Sequence, residues 1–328
     1  NSTGQKFVTT IGLDEDYLFD ITQRVENNSG EEIIINNASK VTRKQAPTLS
    51  GMFILHEGLL GVLQEKLELI DYDDLKDDNE TLNFESDNGW VGITDKYWLA
   101  ALIPDQDKSF KAIYTYDNGY IAYYRSLNAT KVMPGSDHIV ESQIFIGAKE
   151  AKLIDRYQEE YGIYNFDLAI DWGWFYFLTK PLFNVIYFFS QLSGNFGLAI
   201  IILTVITRVV FFPLANWSFI SMAKMKMLQP EMTRIKELHK DDKAQQQQAL
   251  MALYKKEKVN PISGCLPILI QIPFFFAIYK MLFVSIEMRH APFYGWIQDL
   301  AAKDPTTIFN LFGLIPWDPP SFMIIGIW

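Results

Sequence analysis

Arg208 is the residue in this chain most able to do chemistry by its place alone. It follows twelve residues of the apolar run Phe196–Ala215, which carries no other charge, and seven uncharged residues, Val209–Ala215, follow it. Seven helical residues span about 10 Å. An arginine in hydrocarbon costs ~2.5–3.5 kcal/mol on insertion scales. Two readings therefore stand side by side: the guanidinium snorkels to the nearer interface, or it is a positive charge in a hydrated cavity within the membrane. Thr204 lies one turn earlier on the same face and Thr207 adjoins Arg208, although threonine also bonds its own helix backbone without any function.

A second apolar run, Pro261–Val284, carries one charge, Lys280, in 24 residues. It opens Asn260-Pro261-Ile262-Ser263-Gly264-Cys265-Leu266-Pro267 and continues Gln271-Ile272-Pro273. The prolines and the glycine loosen its helix, since each proline removes a backbone donor. Gln271 is an uncharged polar group at membrane depth, suited either to an interhelical hydrogen bond or to the wall of a cavity. Cys265 reads as a small packing residue, because no histidine or charge lies close in sequence to activate a thiol. Between the two runs, Met222, Met225, Met232, Ile235 and Leu238 recur at helical spacing, and Ala249, Leu250 and Leu253 offer a second apolar face. That pattern reads as a helical hairpin. Its methionines either glue the two helices together or receive varied apolar segments.

Enzyme chemistry is not indicated. The sequence contains no phosphate loop, paired zinc-ligand motif, nucleophile elbow or dinucleotide fingerprint. A single cysteine and four scattered histidines argue against a metal centre, so no metal and no cofactor are expected. His56-Glu57 in the first half is an adjacent acid–base pair and reads as a surface turn.

The elements that position these residues differ between the halves. The 328-residue chain has a net charge of -10 and a mean hydropathy near zero, but both are averages. Residues 1–165 hold 28 Asp+Glu against 15 Lys+Arg, a balance of -13, and residues 166–328 hold 11 against 14, a balance of +3. This is too acidic overall for a dedicated nucleic-acid binder. The first half has strand candidates at Tyr17–Val25, Glu31–Ile35, Trp90–Thr94, Tyr97–Ile103, Lys111–Tyr116, Tyr120–Tyr124 and Ile139–Ile146. Turn signals separate them, a pattern that predicts an antiparallel β-sandwich over 1–165. Ala148–Tyr161 is expected to close it as a helix.

A hydrocarbon core needs ~20 apolar residues. The second half is therefore expected to hold a span at 196–215, a loop at 216–260, a span at 261–284, a further loop at 285–320 and the start of a third span at 321–328. Residues 171–192 read as an interfacial amphipathic helix, because Trp172, Trp174, Tyr176 and Tyr187 suit the headgroup region. The 216–260 loop has nine Lys+Arg and five Asp+Glu. The positive-inside rule then makes it cytoplasmic and places the acidic β domain on the opposite side. Apart from the short Gln245–Gln248 run, no repeat or low-complexity segment is visible. No secretory signal or first anchor is visible at Asn1, so the chain reads as part of a larger protein.

The sequence resembles bacterial members of the YidC/Oxa/Alb family. The resemblance rests on Asp171-Trp172-Gly173-Trp174-Phe175, Ser221-Met222-Ala223-Lys224-Met225-Lys226-Met227-Leu228-Gln229-Pro230 and Ala252-Leu253-Tyr254-Lys255-Lys256-Glu257-Lys258-Val259-Asn260-Pro261. Gly264-Cys265 with Pro267, Gln271 and Pro273, and Glu287-Met288-Arg289-His290-Ala291-Pro292-Phe293, extend it. The family implies a multi-domain membrane protein. It would combine a partial periplasmic β-supersandwich with an α-helical insertase core and a cytoplasmic helical hairpin, and would lack the family's first anchor and last spans. It implies no enzyme activity but an insertase and chaperone of the bacterial inner membrane. Nascent membrane proteins, the ribosome, the Sec translocon and membrane lipid are the implied partners, with no nucleic acid bound directly.

In that frame Arg208 matches the arginine of a hydrophilic groove, and Thr204 matches a position near client contacts. Gln271, Ile272 and Phe275 are the inferred lining of the second span, and Met222, Met225 and Met232 the hairpin's client contacts. Phe309–Ser321, with Pro316-Trp317-Asp318-Pro319-Pro320-Ser321, is longer than the corresponding connection in enterobacterial relatives. A transporter or channel would also use an intramembrane arginine, but no paired, repeat-related broken segments are present. A membrane-tethered sugar-binding protein is the other alternative.

Overall fold

A computed structural model describes residues 4–48, 55–77, 81–240, 242–257, 259–260, 264, 266–295 and 297–302. Cys265, the residues 261–263 that open the second apolar run, the proline-rich 316–321 stretch and the expected third span at 321–328 lie outside the described residues. The chain divides into two units. One is Asn1–Trp174 with Phe283–Glu287, and the other is Phe175–Leu282 with Met288–Trp328.

The first unit is built of strands β1 (Gln5–Leu13), β2 (Leu18–Asn27), β3 (Ile33–Ile35), β4 (Ala38–Arg43), β5 (Gly58–Leu63) and β6 (Lys66–Ile70), then a short helix α1 (Tyr72–Asp77). It continues with β7 (Leu82–Ser86), β8 (Trp90–Thr94), β9 (Trp98–Ile103), β10 (Phe110–Tyr116), β11 (Tyr120–Ser126), β12 (Thr130–Val132), β13 (Asp137–Ala148) and helix α2 (Ala151–Glu160). Seven strands form one antiparallel sheet in the order β1-β2-β13-β9-β8-β5-β6. Four form a second in the order β4-β11-β10-β7, and β12 pairs with β3.

Leu59, Leu63, Val91 and Leu102 of the larger sheet share one apolar core with Phe110, Tyr114, Tyr120 and Tyr124 of the smaller. Alternation puts Phe110, Ala112 and Tyr114 on the buried face of β10 and Tyr120, Ala122 and Tyr124 on that of β11. The register sets Ala112 opposite Tyr124 and Ala122 opposite Tyr114, so each methyl faces a ring. On the other face of the larger sheet, Trp90 and Phe145 meet Phe166 edge to face, and Phe145 meets Tyr157 of α2.

The expected strands are present with ends moved by at most two residues, and the expected closing helix is α2. The β5–β6 hairpin and strands β1, β4, β7 and β12 are additional. β5 reads Gly-Leu-Leu-Gly-Val-Leu and is buried throughout, so it lacks alternation. Its turn to β6 is made by Gln64 and Glu65, both with positive φ (51° and 66°), where glycine or asparagine is the usual signal. Gly61 is required by close approach: a Cβ there would lie 2.3 Å from the Tyr114 hydroxyl, which donates to the Leu60 carbonyl at 2.9 Å.

Two expectations are corrected in this unit. His56-Glu57 is not a surface turn. The His56 ring is nearly buried, with Nδ1 3.2 Å from Asp71 Oδ1 and Nε2 2.9 Å from the Leu59 carbonyl, while Glu57 accepts the Lys96 N–H. Trp172 is not at an interface but is buried in the β unit. The Asp171 carboxylate accepts the N–H groups of His56 and Gly173 and ties that turn down, and only Trp174 beyond it is fully exposed.

The second unit is helical: α3 (Tyr176–Ser193), α4 (Phe196–Met227), α5 (Gln229–Leu238), α6 (Lys243–Lys256) and α7 (Leu266–Val284), whose last two residues group with the β unit. α3 ends on Gly194, whose φ of 67° is the left-handed cap that glycine adopts freely. Asn195 then caps α4, its Oδ1 accepting the Leu198 N–H at 3.0 Å. α4 and α7 are long and apolar enough to cross a membrane.

α4 does not stop at Ala215. Asn216–Met227 contains neither glycine nor proline, so the helix runs on for twelve more residues, about 18 Å. Met222 and Met225 therefore lie on the tail of α4, and the hairpin proper is α5 and α6. Leu228 ends α4 and Pro230 occupies the first turn of α5, where its missing N–H costs nothing. The same rule lets Pro267 open α7, and only Pro273 interrupts the helix interior.

Candidate functional site

Within the helical unit, two contacts order α4 against α7. Phe211 and Phe274 meet edge to face with 5.3 Å between centroids. Toward the C-terminal end of α4, the Ser218 hydroxyl donates to the Gly264 carbonyl at 3.0 Å, and Met222 lies against Gly264. Moving down α4 therefore means moving up α7, and the two helices are antiparallel.

This order decides where the candidate residues point. In a right-handed helix the residue three positions earlier lies about 60° round the axis. Arg208 stands to Phe211 as Gln271 stands to Phe274. Because the helices run in opposite directions, the same rotation turns both side chains to one side of the pair. Phe275, about 100° round from Phe274, turns to that side as well. Thr204 lies about 40° from Arg208, between it and α7. Ile272, about 160° from Phe274, points away from α4. The structure thus brings Arg208, Thr204, Gln271 and Phe275 to one side and does not bring Ile272 with them.

Depth along the axis separates them further. Phe275 is within about 3 Å of the level of Arg208, while Gln271 lies about 9 Å nearer the Gly264 end. Arg208 is exposed, and among the described residues it has no hydrogen bond or ion pair. Thr204 donates its hydroxyl to the Ile200 carbonyl at 2.8 Å, and Thr207 donates to Leu203 at 2.8 Å. Both therefore spend their proton on their own helix, leaving Thr204 with acceptor lone pairs on the exposed face. Ala199, Leu203 and Thr207 form the buried seam on the other side of α4, which packs on α3.

The ends of the pair are well built. At the N-terminal end of α4, Asn195 Nδ2 donates to the Pro292 carbonyl at 3.1 Å, and the Phe293 ring covers Gly197 so closely that a Cβ would lie 2.3 Å from it. Spacing alone did not mark Ser218, Gly264, Gly197 or Phe293. The available signal was only a small residue inside an apolar helix, which fits a close helix contact. In the hairpin, Tyr254 donates its hydroxyl to the Met232 sulfur at 3.7 Å, and Gln246 Nε2 donates to the Lys236 carbonyl at 3.1 Å. Met232 is thus engaged with α6, whereas Met222 is exposed on α4.

Comparison with known proteins also divides the chain in two, between residues 185 and 188 within α3. The family model described as the YidC periplasmic domain matches residues 1–185, and that described as the 60Kd inner membrane protein matches residues 188–325. The membrane protein insertase YidC of Pelagibacter ubique (strain HTCC1062) is 53% identical over 328 residues, covering 100% of this chain and 58% of that protein. That of Rickettsia africae (strain ESF-5) is 50% identical over 334 residues, covering 100% and 59%. The chain therefore spans somewhat under three fifths of the length of these curated relatives. Among solved structures, a crystal structure of an active YidC insertase with its first transmembrane domain resolved has a TM-score of 0.37 at 18% identity. It covers 93% of this chain and 80% of that one. A putative aldose 1-epimerase from Klebsiella pneumoniae has a TM-score of 0.36 at 10% identity, covering 49% and 51%.

Proposed function

We propose that this chain, which belongs to the YidC family, works as part of a membrane protein insertase and chaperone of the bacterial inner membrane. The β unit is read as a β-supersandwich domain on the periplasmic side, and α5–α6 as a cytoplasmic hairpin that receives clients, ribosomes or targeting factors. The observation that carries the reading is the shared side of the α4–α7 pair, with an exposed arginine at membrane depth beside Thr204, Gln271 and Phe275.

A positive charge there attracts the acidic or polar leading part of a nascent chain, and the attraction strengthens as the local dielectric falls. The client's apolar segment then moves along the two spans into lipid, driven by transfer out of water. Ile272, exposed and turned away from α4, suits the lipid-facing edge that a departing segment crosses. The steps need no metal or nucleotide, and no bond is made or broken. Cooperation with the Sec translocon belongs to the same reading.

The test is a photo-crosslinker at Thr204 or Phe275 in the full-length protein, with a single-span client translated on ribosomes and the buried Leu203 as control. Crosslinks to the nascent chain are expected at Thr204 and Phe275 and not at Leu203. Their absence at both sites overturns the groove.

A further inference from the structure

The β unit takes in Phe283–Glu287, the residues that end α7 and open the chain beyond it. Two contacts fasten this strap. The Lys96 ammonium lies 3.7 Å from the centroid of the Phe283 ring. Glu287 Oε1 accepts the Ala151 N–H at 2.9 Å. Ala151 is the first residue of α2, where N–H groups have no partner within the helix. The local N-cap, Glu150, makes no side-chain cap bond. Glu287 is therefore the cap of α2, supplied from the far end of the chain.

The remainder of its carboxyl is poorly provided for as an anion. Among the described residues Oε2 and the Ser285 hydroxyl are buried with no well-formed hydrogen bond, although the hydroxyl lies near enough to act on the carboxyl. Glu150, just before α2, acts on it with a charge of the same sign. In the same unit Lys149 donates to Thr94 Oγ1 at 2.8 Å, and Lys96 lies over Phe283. A carboxylate is acceptor-only, with about four lone-pair sites to satisfy. The Ser285 hydroxyl can donate to a carboxylate or accept from a carboxylic acid, so burial and the like charge of Glu150 are what favour the acid.

We propose that Glu287 is a proton-operated latch: protonated, it stays buried and clips the 283–287 strap to α2; ionised, it withdraws and frees the strap. Burial is the largest influence on this carboxyl and raises it above its ordinary value. Glu150 adds to that, against the Ala151 N–H, its own N–H and the nearby Ser285 hydroxyl, which act the other way. A raised acid favours the docked state fully below its ordinary titration range, and the preference is lost as pH rises through the docked value. Acid clips the strap and alkali releases it.

The test uses the whole chain in lipid nanodiscs with carboxyl-labelled glutamate. The carbon-13 signal that disappears in Glu287→Gln is expected to titrate above the ~4.3 of a free glutamate, and Glu150→Gln is expected to move it down. Exchange protection of the Ala151 N–H, corrected for intrinsic rate, should fall by about tenfold across that titration in the native chain and stay flat in Glu287→Gln. A carboxyl titrating at or below the ordinary value overturns the latch, as does an equal fall in Glu287→Gln. Should Glu287→Gln fail to fold, the native titration and its shift in Glu150→Gln decide alone.

Discussion

Arg208 was conspicuous because it is a single charge in an apolar run, and the structure adds that it faces outward from the α4 seam. If its role is charge, Arg208→Lys keeps it and Arg208→Ala removes it. Insertion of clients with acidic translocated tails is then expected to fall on the order of tenfold in the alanine variant, equivalent to ~1.4 kcal/mol, and to be nearly unchanged in the lysine variant. Quantitative client insertion into vesicles checks this, and equal loss in both variants would point to the planar, bidentate geometry of guanidinium instead. Gln271 and Thr204 were legible for the same reason, as polar groups among apolar ones. The outward turn of Ile272 was not, because it depends on which residue of α7 meets α4. A second residue-scale prediction lies in the β unit, where Tyr157 donates its hydroxyl to Asp14. Burial opposes ionisation of Asp14, but that hydroxyl, the Leu18 and Asp16 N–H groups and Arg156 overcome it and hold the carboxyl below its ordinary value. Such a group stabilises the fold above the ordinary carboxylate range and ceases to do so as pH falls through its depressed value. Tyr157→Phe is expected to cost about 1 kcal/mol near neutral pH and less in strong acid, read as chemical-denaturation midpoints against pH.

At the scale of elements, the ends of the two apolar helices are fixed by contacts between small and large residues. Gly197 accommodates the Phe293 ring, and Phe293 is itself held by its N–H to the Ile297 carbonyl at 2.9 Å. Gly197→Ala is therefore expected to destabilise the helical unit by about 1–3 kcal/mol through overpacking. The further change Phe293→Ala should recover part of that loss. Thermal unfolding of single and double variants in one detergent measures both, and additive losses would mean that the ring and the glycine do not meet. Helix type and approximate length were readable from apolar runs, and so were strands with clear alternation such as β8 and β10. Boundaries were less so. The extension of α4 to Met227 has no terminating residue in its sequence, and the β5–β6 turn uses Gln64 and Glu65 in a conformation their types do not advertise.

The whole molecule resolves its near-zero mean hydropathy into two units stabilised by different surroundings. The β unit covers its own core, with Leu59, Val91, Tyr114 and Ala122 fully buried. The helices α4 and α7 do not, since 17% and 28% of their most apolar windows are buried within the protein. Their exposed Val209, Val210, Phe212 and Ile268 need an apolar solvent. Stripping lipid or moving to a harsher detergent is expected to raise hydrogen exchange in 196–227 and 266–284 while leaving 90–124 unchanged. Uniform change across all three segments would contradict two separately stabilised units. The sequence by itself determined the division into an acidic strand-rich half and a weakly basic apolar half, the helical runs, and the presence of a lone charge within an apolar run. Composition and periodicity are local properties, and those features depend on nothing more. Only the tertiary structure decided that Arg208, Gln271 and Phe275 share a side, that Trp172 is interior, and that Glu287 caps a helix begun 136 residues earlier. Each of these depends on which surfaces meet, a relation between distant residues that no window of sequence contains.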